Sequence, residues 1–272
     1  MAEWDFITFL SDFGHADDFV GTCHGVIKNI APEVQIIDIT HGVPRHDITQ
    51  GAVILANTLP YMPESVILAV VDPGVGGSRK SVAIRTSQGR CLVGPDNGLL
   101  SLAAAKLGGP AAAVELPCSA YTLPEVCKTF EGRDLFSPVA AHLAKGVSLD
   151  ELGAPMEVGG LEKIELPAPE RTESGVSATV VYIDRFGNVQ LHLTRKDLEG
   201  IGAAIGETTL AVSHDDESWK VPFVHSFSDV EPEELLVCED SYKSISFAIN
   251  QGDAARTFQI TMGDRIQLET VK

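Results

Sequence analysis

The sequence predicts an α/β protein with two domains: a mostly parallel sheet with helices on both faces over residues 1–153, then a smaller strand-rich domain over residues 175–272. Three observations lead to this prediction. Short apolar strands alternate with segments of helical period in the first half, which is typical of a sheet covered by helices. Proline and glycine interrupt residues 154–174, which we interpret as a linker. Strand patterns dominate the remainder, and the chain of 272 residues, 44% of them hydrophobic, is long enough for two cores.

The N-terminal half alternates between the two periods. The run at 66–71 is continuously apolar, which is typical of a central strand buried on both faces. The first helix is expected to stop at Ala31, because Pro32 disfavours helical geometry before it. The predicted strands are 6–10, 34–39, 66–71 and the hairpin arms 81–85 and 91–93, and the predicted helices begin near residues 17, 47, 99 and 134.

The C-terminal half contains short strands separated by turn residues. This spacing indicates a small β-barrel or a sandwich. The predicted strands are 176–183, 189–193, 208–213, 235–239, 245–249 and 265–269.

Composition excludes several classes of function. The net charge of −18 repels phosphate backbones, so nucleic acid is not an expected partner. No apolar run reaches the roughly 18 residues of a membrane span, and residues 1–5 lack the basic start of an export signal, so we expect a cytoplasmic protein without a membrane partner. The five cysteines are scattered without a C-x-x-C pair, which argues against a thiolate zinc site and a disulfide framework.

Acidic residues follow the first strand. Asp12 lies just beyond it, where open α/β sheets bind ligands, and its carboxylate can accept hydrogen bonds from a ribose diol. Asp17 and Asp18 are interpreted as capping residues of the next helix. This segment, with His24 further along, also contains the oxygen ligands that hard cations prefer. Because Asp17 and Asp18 are adjacent and cannot share a helix face, we expect no metal ligands here.

Residues 71–81 form a glycine-rich segment that nearly matches a phosphate-binding loop. Arg79 replaces the required second glycine, and a strand rather than a helix is predicted after it, so phosphate binding is rejected. What remains is a loop that places Asp72 at a strand end and Arg79 a few residues later. A glycine-rich turn with a surface ion pair is the alternative.

Two further loops contain candidate residues. Phe130 and Glu131 precede a predicted helix that Asp134 can cap. Phe186 can stack on a base, and the Asn188 amide can bond to an adenine edge, although Asp, Gly and Asn are also ordinary turn residues. Ser241 and the turn at 249–252 have equally simple turn interpretations. The sequence contains no G-x-S-x-G elbow, so an acyl-transfer hydrolase is not expected.

Taken together, these segments resemble the S-adenosylmethionine hydroxide adenosyltransferase family, the adenosine-forming S-adenosylmethionine hydrolases, which are related to fluorinating and chlorinating enzymes. The resemblance extends over nearly the whole chain. The matching motifs are SDFG from Ser11, DITHGV from Asp38, VVDPGVGGSRK from Val71, GPDNGLL from Gly94, FEGRD from Phe130, IDRFGN from Ile183 and INQGDAA from Ile249.

The resemblance implies a C-terminal β-barrel and a homotrimer whose active sites lie between one subunit's N-domain and its neighbour's C-domain. It implies no cofactor, and S-adenosylmethionine as substrate. Asp72 and Arg79 correspond to two members of the family's Asp-Arg-His set, which positions water. The resemblance also implies the substrate-binding residues. Asp12 would bind the ribose, Asp184 and Ser241 the methionine amine and carboxylate, and Asn188 and the backbone near Gln251 the adenine. Phe186 and Phe227 would stack on the base, and Phe130 lies next to the third position of the set.

The third position of that set departs from the family, because Glu131 stands where a histidine is usual. A glutamate can also accept a proton, but it adds negative charge next to Asp72 unless Arg79 offsets it. Hydrolysis to adenosine and methionine is therefore the predicted activity, and a sensor that binds S-adenosylmethionine or adenosine without turnover is the alternative. A metal-dependent phosphoesterase is a weaker alternative.

A nucleoside 5′-halogenase is the nearest competing reaction. The resemblance implies that halogenating relatives have a neutral side chain at the place of Asp72. A carboxylate about 4 Å from a halide would repel it by roughly 4 kcal/mol at an effective dielectric near 20. Water meets no such repulsion, so the sequence favours hydrolysis.

Overall fold

The computed structural model describes residues 4–172 and 175–271. Two segments used in the sequence analysis lie outside the described residues. They are residues 1–3, which entered the prediction against an export signal, and residues 173–174 of the predicted linker. The chain divides into two compact units, Met1–Ile164 and Glu165–Lys272. The division falls within the segment 154–174, and the exact domain limits stay a prediction.

The first unit contains a sheet with strand order β2-β1-β3-β5-β4-β6-β7 among the described residues. Its strands are β1 Phe6–Ser11, β2 Gln35–Thr40, β3 Val66–Val70, β4 Ser81–Thr86, β5 Cys91–Pro95, β6 Pro110–Glu115 and β7 Ala154–Met156. Its helices are α1 Phe19–Ile30, α2 Ile48–Thr58, α3 Ser101–Lys106, α4 Ser137–Ala144 and α5 Leu149–Leu152.

The sheet is mixed. The neighbours β2, β1, β3 and β5 pair in parallel, as the strand–helix alternation predicts. The remaining pairings, β5–β4, β4–β6 and β6–β7, are antiparallel. The short turn at 87–90 joins β4 to β5, and a connection of this length permits only an antiparallel hairpin.

Both faces of the sheet are covered by helices, which confirms the predicted layers. Alternate residues of β3 point to opposite faces. Val66, Leu68 and Val70 join the core beneath α1 and α4, whereas Ile67 and Ala69 join the core beneath α2 and α3.

The carboxyl ends of β1, β2 and β3 lie at one edge of the sheet because these strands are parallel. Ser81, the first residue of β4, pairs with Pro95 at the carboxyl end of β5 and so lies at the same edge. Residues that follow β1, β2 and β3, and those that precede β4, therefore collect there.

The second unit is a closed seven-stranded β-barrel in the described part of the chain. Pairing runs through β10-β14-β13-β12-β11-β15-β9, and β9 pairs with β10 to close it; β8 is added to β9. Its strands are β8 Glu170–Arg171, β9 Gly175–Ile183, β10 Val189–Thr194, β11 Thr209–His214, β12 Glu217–Val224, β13 Leu235–Glu239, β14 Ser244–Ile249 and β15 Arg265–Thr270, and its short helices are α6 Arg195–Glu199 and α7 Ala254–Thr257.

Within residues 4–172 and 175–271, the helices are all too short or too polar to cross a bilayer.

Candidate active site

Asp72, Arg79 and Glu131 form one hydrogen-bonded set at the carboxyl edge of the first sheet. Arg79 Nε lies 3.0 Å from both carboxylate oxygens of Asp72, and its Nη2 also donates to Asp72 Oδ2. The same Nη2 donates to Glu131 Oε2 at 2.5 Å. One guanidinium therefore positions both carboxylates, and such charge-assisted bonds are the strong class.

Ser81 completes this set, although the sequence analysis did not single it out. Arg79 Nη1 donates to Ser81 Oγ at 2.7 Å, and Ser81 Oγ donates to Glu131 Oε2 at 3.1 Å. The sequence carries little signal for this role, since a serine at the start of a strand is common. The role becomes visible only in the structure, where Ser81 lies at the same edge of the sheet as Asp72.

The set is largely shielded from solvent. The side chains of Asp72, Arg79 and Glu131 are 5%, 11% and 13% exposed, and the Arg79 guanidinium lies 5.5 Å from the centre of the Phe136 ring. Burial lowers the pKa of Arg79, but its hydrogen bonds and charge interactions with Asp72 and Glu131 outweigh this effect, and the net pKa is above its ordinary value. Arg79 is thus a fixed cation between two carboxylates.

A close approach of backbone segments brings Glu131 to this loop. Gly76 has a φ of +71°, and a Cβ there would overlap the carbonyl oxygen of Lys128. Only glycine permits this contact between the 72–80 loop and the segment before Glu131.

Asp12 lies one residue beyond β1, as predicted. Its Oδ2 accepts a hydrogen bond of 2.9 Å from the backbone N–H of His46, which has an uncommon positive φ of 66°. Asp12 is thereby held at the same edge of the sheet as Asp72.

Phe130 packs within an aromatic cluster. Its ring centre lies 5.8 Å from that of Phe13 and 5.1 Å from that of Phe19, and the Arg133 guanidinium lies 5.0 Å from it. Packing against these side chains accounts for the position of Phe130. Its role in binding the substrate stays a proposal.

Of the two predicted helix caps, that at Asp18 is confirmed in position only, and that at Asp134 is wrong. Asp18 occupies the N-cap position of α1 without capping it, and its carboxylate instead accepts from the Thr22 hydroxyl at 3.3 Å. Asp134 lies inside a π-helical turn, Gly132–Phe136, where it is fully buried, accepts from Cys127 N at 2.8 Å and pairs with Arg133. The extra residue of the π-turn displaces the expected start of α4.

In the second unit, the six predicted substrate residues line two adjoining cavities of about 410 and 390 Å³. Phe186, Asn188 and Phe227 line both cavities. Asp184 and Ser241 line only the larger one, and Gln251 only the smaller one. These residues are far apart in sequence, yet the barrel brings them together.

The Asp184 carboxylate organises the turn before β10. Its Oδ1 accepts from Phe186 N at 2.9 Å and from Asn188 N at 3.0 Å, and its Oδ2 accepts from the Asn188 side-chain amide at 2.8 Å. The turn interpretation therefore holds for these residues in addition to any role in binding. One amide hydrogen of Asn188 is used by Asp184, and its carbonyl oxygen remains an acceptor for a ligand.

Two aromatic side chains at these cavities are exposed to an unusual degree. Phe186 is 68% exposed and Phe227 38%, although burial of aromatic rings normally stabilises a fold. Exposed rings beside a cavity are typical of surfaces that stack planar ligands. Residues that the sequence analysis missed here are Tyr182, Gln190, His225, Glu239, Asp240 and Tyr242, which line the larger cavity.

Comparison with known proteins agrees with this architecture. The family profile described as SAM hydroxide adenosyltransferase N-terminal domain matches residues 7–153, and the corresponding C-terminal domain matches residues 178–267. A protein from Salinispora tropica named (R)-S-adenosyl-L-methionine hydrolase is 44% identical, over 98% of this chain and 99% of its own length. One of the same name from Thermus thermophilus is 35% identical, over 96% and 98%.

A more distant relative and a solved structure are similar to this chain as well. A fluorinase from an Actinoplanes species is 28% identical, over 82% of this chain and 83% of its own length. The crystal structure of an uncharacterized conserved protein from Thermotoga maritima superimposes with a TM-score of 0.89 at 33% identity, covering 96% and 99% of the two chains. This chain belongs to the SAM hydroxide adenosyltransferase family.

Proposed function

We propose that the protein is a hydrolase that cleaves S-adenosyl-L-methionine at its C5′–S bond with water, giving adenosine and L-methionine. The observation that carries this proposal is the shielded set in which Arg79 fixes Asp72 and Glu131. The names of full-length relatives at 35–44% identity support the same reaction.

The reaction follows from the chemistry of the sulfonium. The water oxygen forms a bond to C5′ from the side opposite sulfur, the C5′–S bond breaks, and its electron pair neutralises the sulfonium. The water proton passes to a carboxylate and then to solvent. Water is a weak nucleophile, so it needs an acceptor in a fixed position, and proton transfer of this kind contributes about 10²–10⁴-fold in rate.

Asp72 is the proposed proton acceptor, and Arg79 is the residue that orients its carboxylate. Glu131 takes the place of the family histidine by sharing Arg79 Nη2 with Asp72. Asp72, Glu131 and Arg79 together carry one net negative charge, and one such charge at about 4 Å repels a halide by roughly 4 kcal/mol at an effective dielectric near 20.

The substrate-binding roles are proposals supported by position. Asp12 binds the ribose hydroxyls and Phe130 borders this region. Phe186 and Phe227 stack on the adenine, which Asn188 and the backbone at Gln251 recognise. Asp184 and Ser241 bind the methionine end. The homotrimer, with active sites shared between subunits, and the cytoplasmic location also remain proposals; light scattering tests the first.

Chromatography of the products from S-adenosyl-L-methionine tests the function. We expect adenosine and methionine from the wild type and a loss of about 10²–10⁴-fold in kcat for Asp72→Ala. Asp150→Ala, which removes an exposed carboxylate from α5, serves as the matched control and should keep full activity.

Other products would identify the alternatives. Tight calorimetric binding without methionine release would mean a sensor. A 5′-halonucleoside as main product in chloride or fluoride would mean a halogenase. Unchanged turnover in Asp72→Ala would refute the proposed acceptor.

A further inference from the structure

His24, Asp38 and His41 converge at the carboxyl ends of β1 and β2. His24 lies on α1, Asp38 in β2, and His41 directly after β2. His24 Nε2 lies 2.9 Å and His41 Nε2 3.0 Å from the same atom, Asp38 Oδ1. These three atoms lie within 4.8 Å of one another.

His41 is fully buried, yet its Nε2 makes no hydrogen bond within the described residues. The nitrogen is close to Asp38 Oδ1, but a hydrogen in the ring plane would not point at that oxygen. On the other side of the ring, Nδ1 lies 2.7 Å from Ser11 Oγ. With the ring hydrogen on Nδ1, Nε2 carries a lone pair 3.0 Å from Asp38 Oδ1 and within 4.8 Å of His24 Nε2.

This arrangement is the one that a shared metal ion produces. Ligand atoms about 2.1 Å from an ion and at right angles around it lie about 3.0 Å apart. His24 Nε2 is also hydrogen-bonded to Asp38 Oδ1, so the buried and unpartnered Nε2 of His41 is the atom that points to an ion. A ligating histidine also typically donates its other ring N–H to a fixed acceptor, and Ser11 Oγ, 2.7 Å from His41 Nδ1, can fill that role.

We propose that His24 Nε2, Asp38 Oδ1 and His41 Nε2 bind a divalent transition-metal ion, with water in the remaining positions. Two imidazoles and a carboxylate are a donor set that suits zinc and related first-row ions. The side chains of His24 and Asp38 are 31% and 35% exposed, so an ion can enter from solvent. His24 was included when the sequence predicted no metal, but that prediction rested on the adjacent Asp17 and Asp18, neither of which belongs to this cluster.

The ion would have a structural role. The His41 carbonyl accepts from Gly14 N at 2.7 Å, and Ser11 immediately precedes Asp12. The ion thus ties α1 and the end of β2 to the loop that contains Asp12. It is independent of the chemistry proposed for Asp72.

The test measures metal directly. The full-length protein is treated with a chelator, dialysed, and titrated with ZnCl₂, MnCl₂ and NiCl₂ by calorimetry, and its metal content after purification is measured by mass spectrometry. We expect one ion per chain and a metal-dependent rise in Tm. His24→Ala, at a partly exposed position, should fold and lose at least about tenfold in affinity together with the rise in Tm.

His214→Ala is the matched control. His214 Nε2 also lies near a carboxylate, that of Asp264, at 3.2 Å. This pair belongs to the other unit, and among the described residues it is not part of a cluster with a second histidine. This variant should bind metal as the wild type does. Equal affinity in His24→Ala and wild type, or no saturable binding at millimolar metal, would show that the cluster is a hydrogen-bonded network only and would overturn the proposal.

Discussion

At position 79, a single arginine determines the charge of the proposed catalytic set. Its one positive charge faces the carboxylates of Asp72 and Glu131, so the three groups together carry one negative charge. A neutral histidine in place of Glu131 would leave the set without net charge. The glutamate therefore makes this set less tolerant of anionic nucleophiles and better suited to accept the proton of water.

Substitutions of Glu131 test whether this side chain contributes to catalysis and whether the family's usual histidine can replace it. Glu131→Ala leaves Arg79 with one carboxylate and Ser81 without its acceptor, so we expect kcat to fall by about 100-fold. Glu131→His, the family's usual residue, should stay within about tenfold of wild type. Steady-state measurement of adenosine release gives both values, with Glu125→Ala, an exposed glutamate of the preceding loop, as control. Equal inactivity of the histidine and alanine variants would contradict this role for position 131.

Phe186 offers a test of base stacking. Its ring is 68% exposed, so Phe186→Ala removes little packing and should leave Tm almost unchanged. Loss of stacking on a base costs about 1–3 kcal/mol, which corresponds to roughly a 5- to 150-fold rise in KM. Tyr61→Ala, another exposed aromatic residue at 67%, is the control. A KM that does not change in Phe186→Ala would remove this residue from the binding site.

At the scale of elements, the proposed site depends on loops held by a rigid sheet. The 72–80 loop leaves β3, which is buried along its whole length, and returns into β4 at Ser81. Its contact at Gly76 with the segment before Glu131 joins the two parts of the set. Order in this loop is therefore a condition for activity.

Two glycine substitutions test this dependence. Gly76→Ala and Gly89→Ala both place a side chain at a positive φ, +71° and +82°. Gly89→Ala should lose about 1–2 kcal/mol of unfolding free energy, and Gly76→Ala at least as much. Only Gly76→Ala also forces Lys128 away, because nothing lies within 4 Å of a Cβ at Gly89. We expect kcat to fall tenfold or more for Gly76→Ala alone, which corresponds to a rise of about 1.4 kcal/mol or more in activation free energy. Similar kcat values in the two variants would show that the contact does not position Glu131.

The sequence predicts elements well where one physical signal dominates. The buried strand at 66–71, the hairpin at 81–93 and the start of α2 near residue 47 were all expected. The structure adds that the Asp47 side chain caps this helix by accepting from Gln50 N. Strand β12 was missed because Pro222 argues against a strand. In the structure, Pro222 lies where β12 changes partner from β11 to β13, a place where a missing N–H is tolerated. Strand β6 was missed because three successive alanines carry no strand preference.

Side-chain partnerships across long separations were less predictable. Asp72 and Arg79 are close in sequence and were expected to pair, whereas Ser81 and His41 showed no pattern that a turn or strand start would not also explain. Their roles arise from the parallel register, which places four strand ends at one edge. The motif resemblance identified residues of the barrel cavities that local spacing alone left as turns.

For the whole molecule, the net charge of −18 acts over distances longer than any single contact. S-adenosyl-L-methionine carries a net positive charge, because its sulfonium and amine outnumber its carboxylate. A strongly negative protein raises the local concentration of such a ligand at low salt. The acidic composition, which argues against nucleic acid as a partner, thus favours the proposed substrate.

Ionic strength tests this effect. The Debye length falls from about 30 Å at 0.01 M to about 3 Å at 1 M salt, so attraction beyond the direct contacts is lost. We expect KM for S-adenosyl-L-methionine to rise about threefold or more from 0.01 to 0.5 M NaCl, with little change in kcat. Adenosine is neutral, so its inhibition constant, measured in the same buffers, should stay nearly constant and serves as the control. A parallel rise in both constants would mean that salt perturbs the site itself rather than screening the field of the protein.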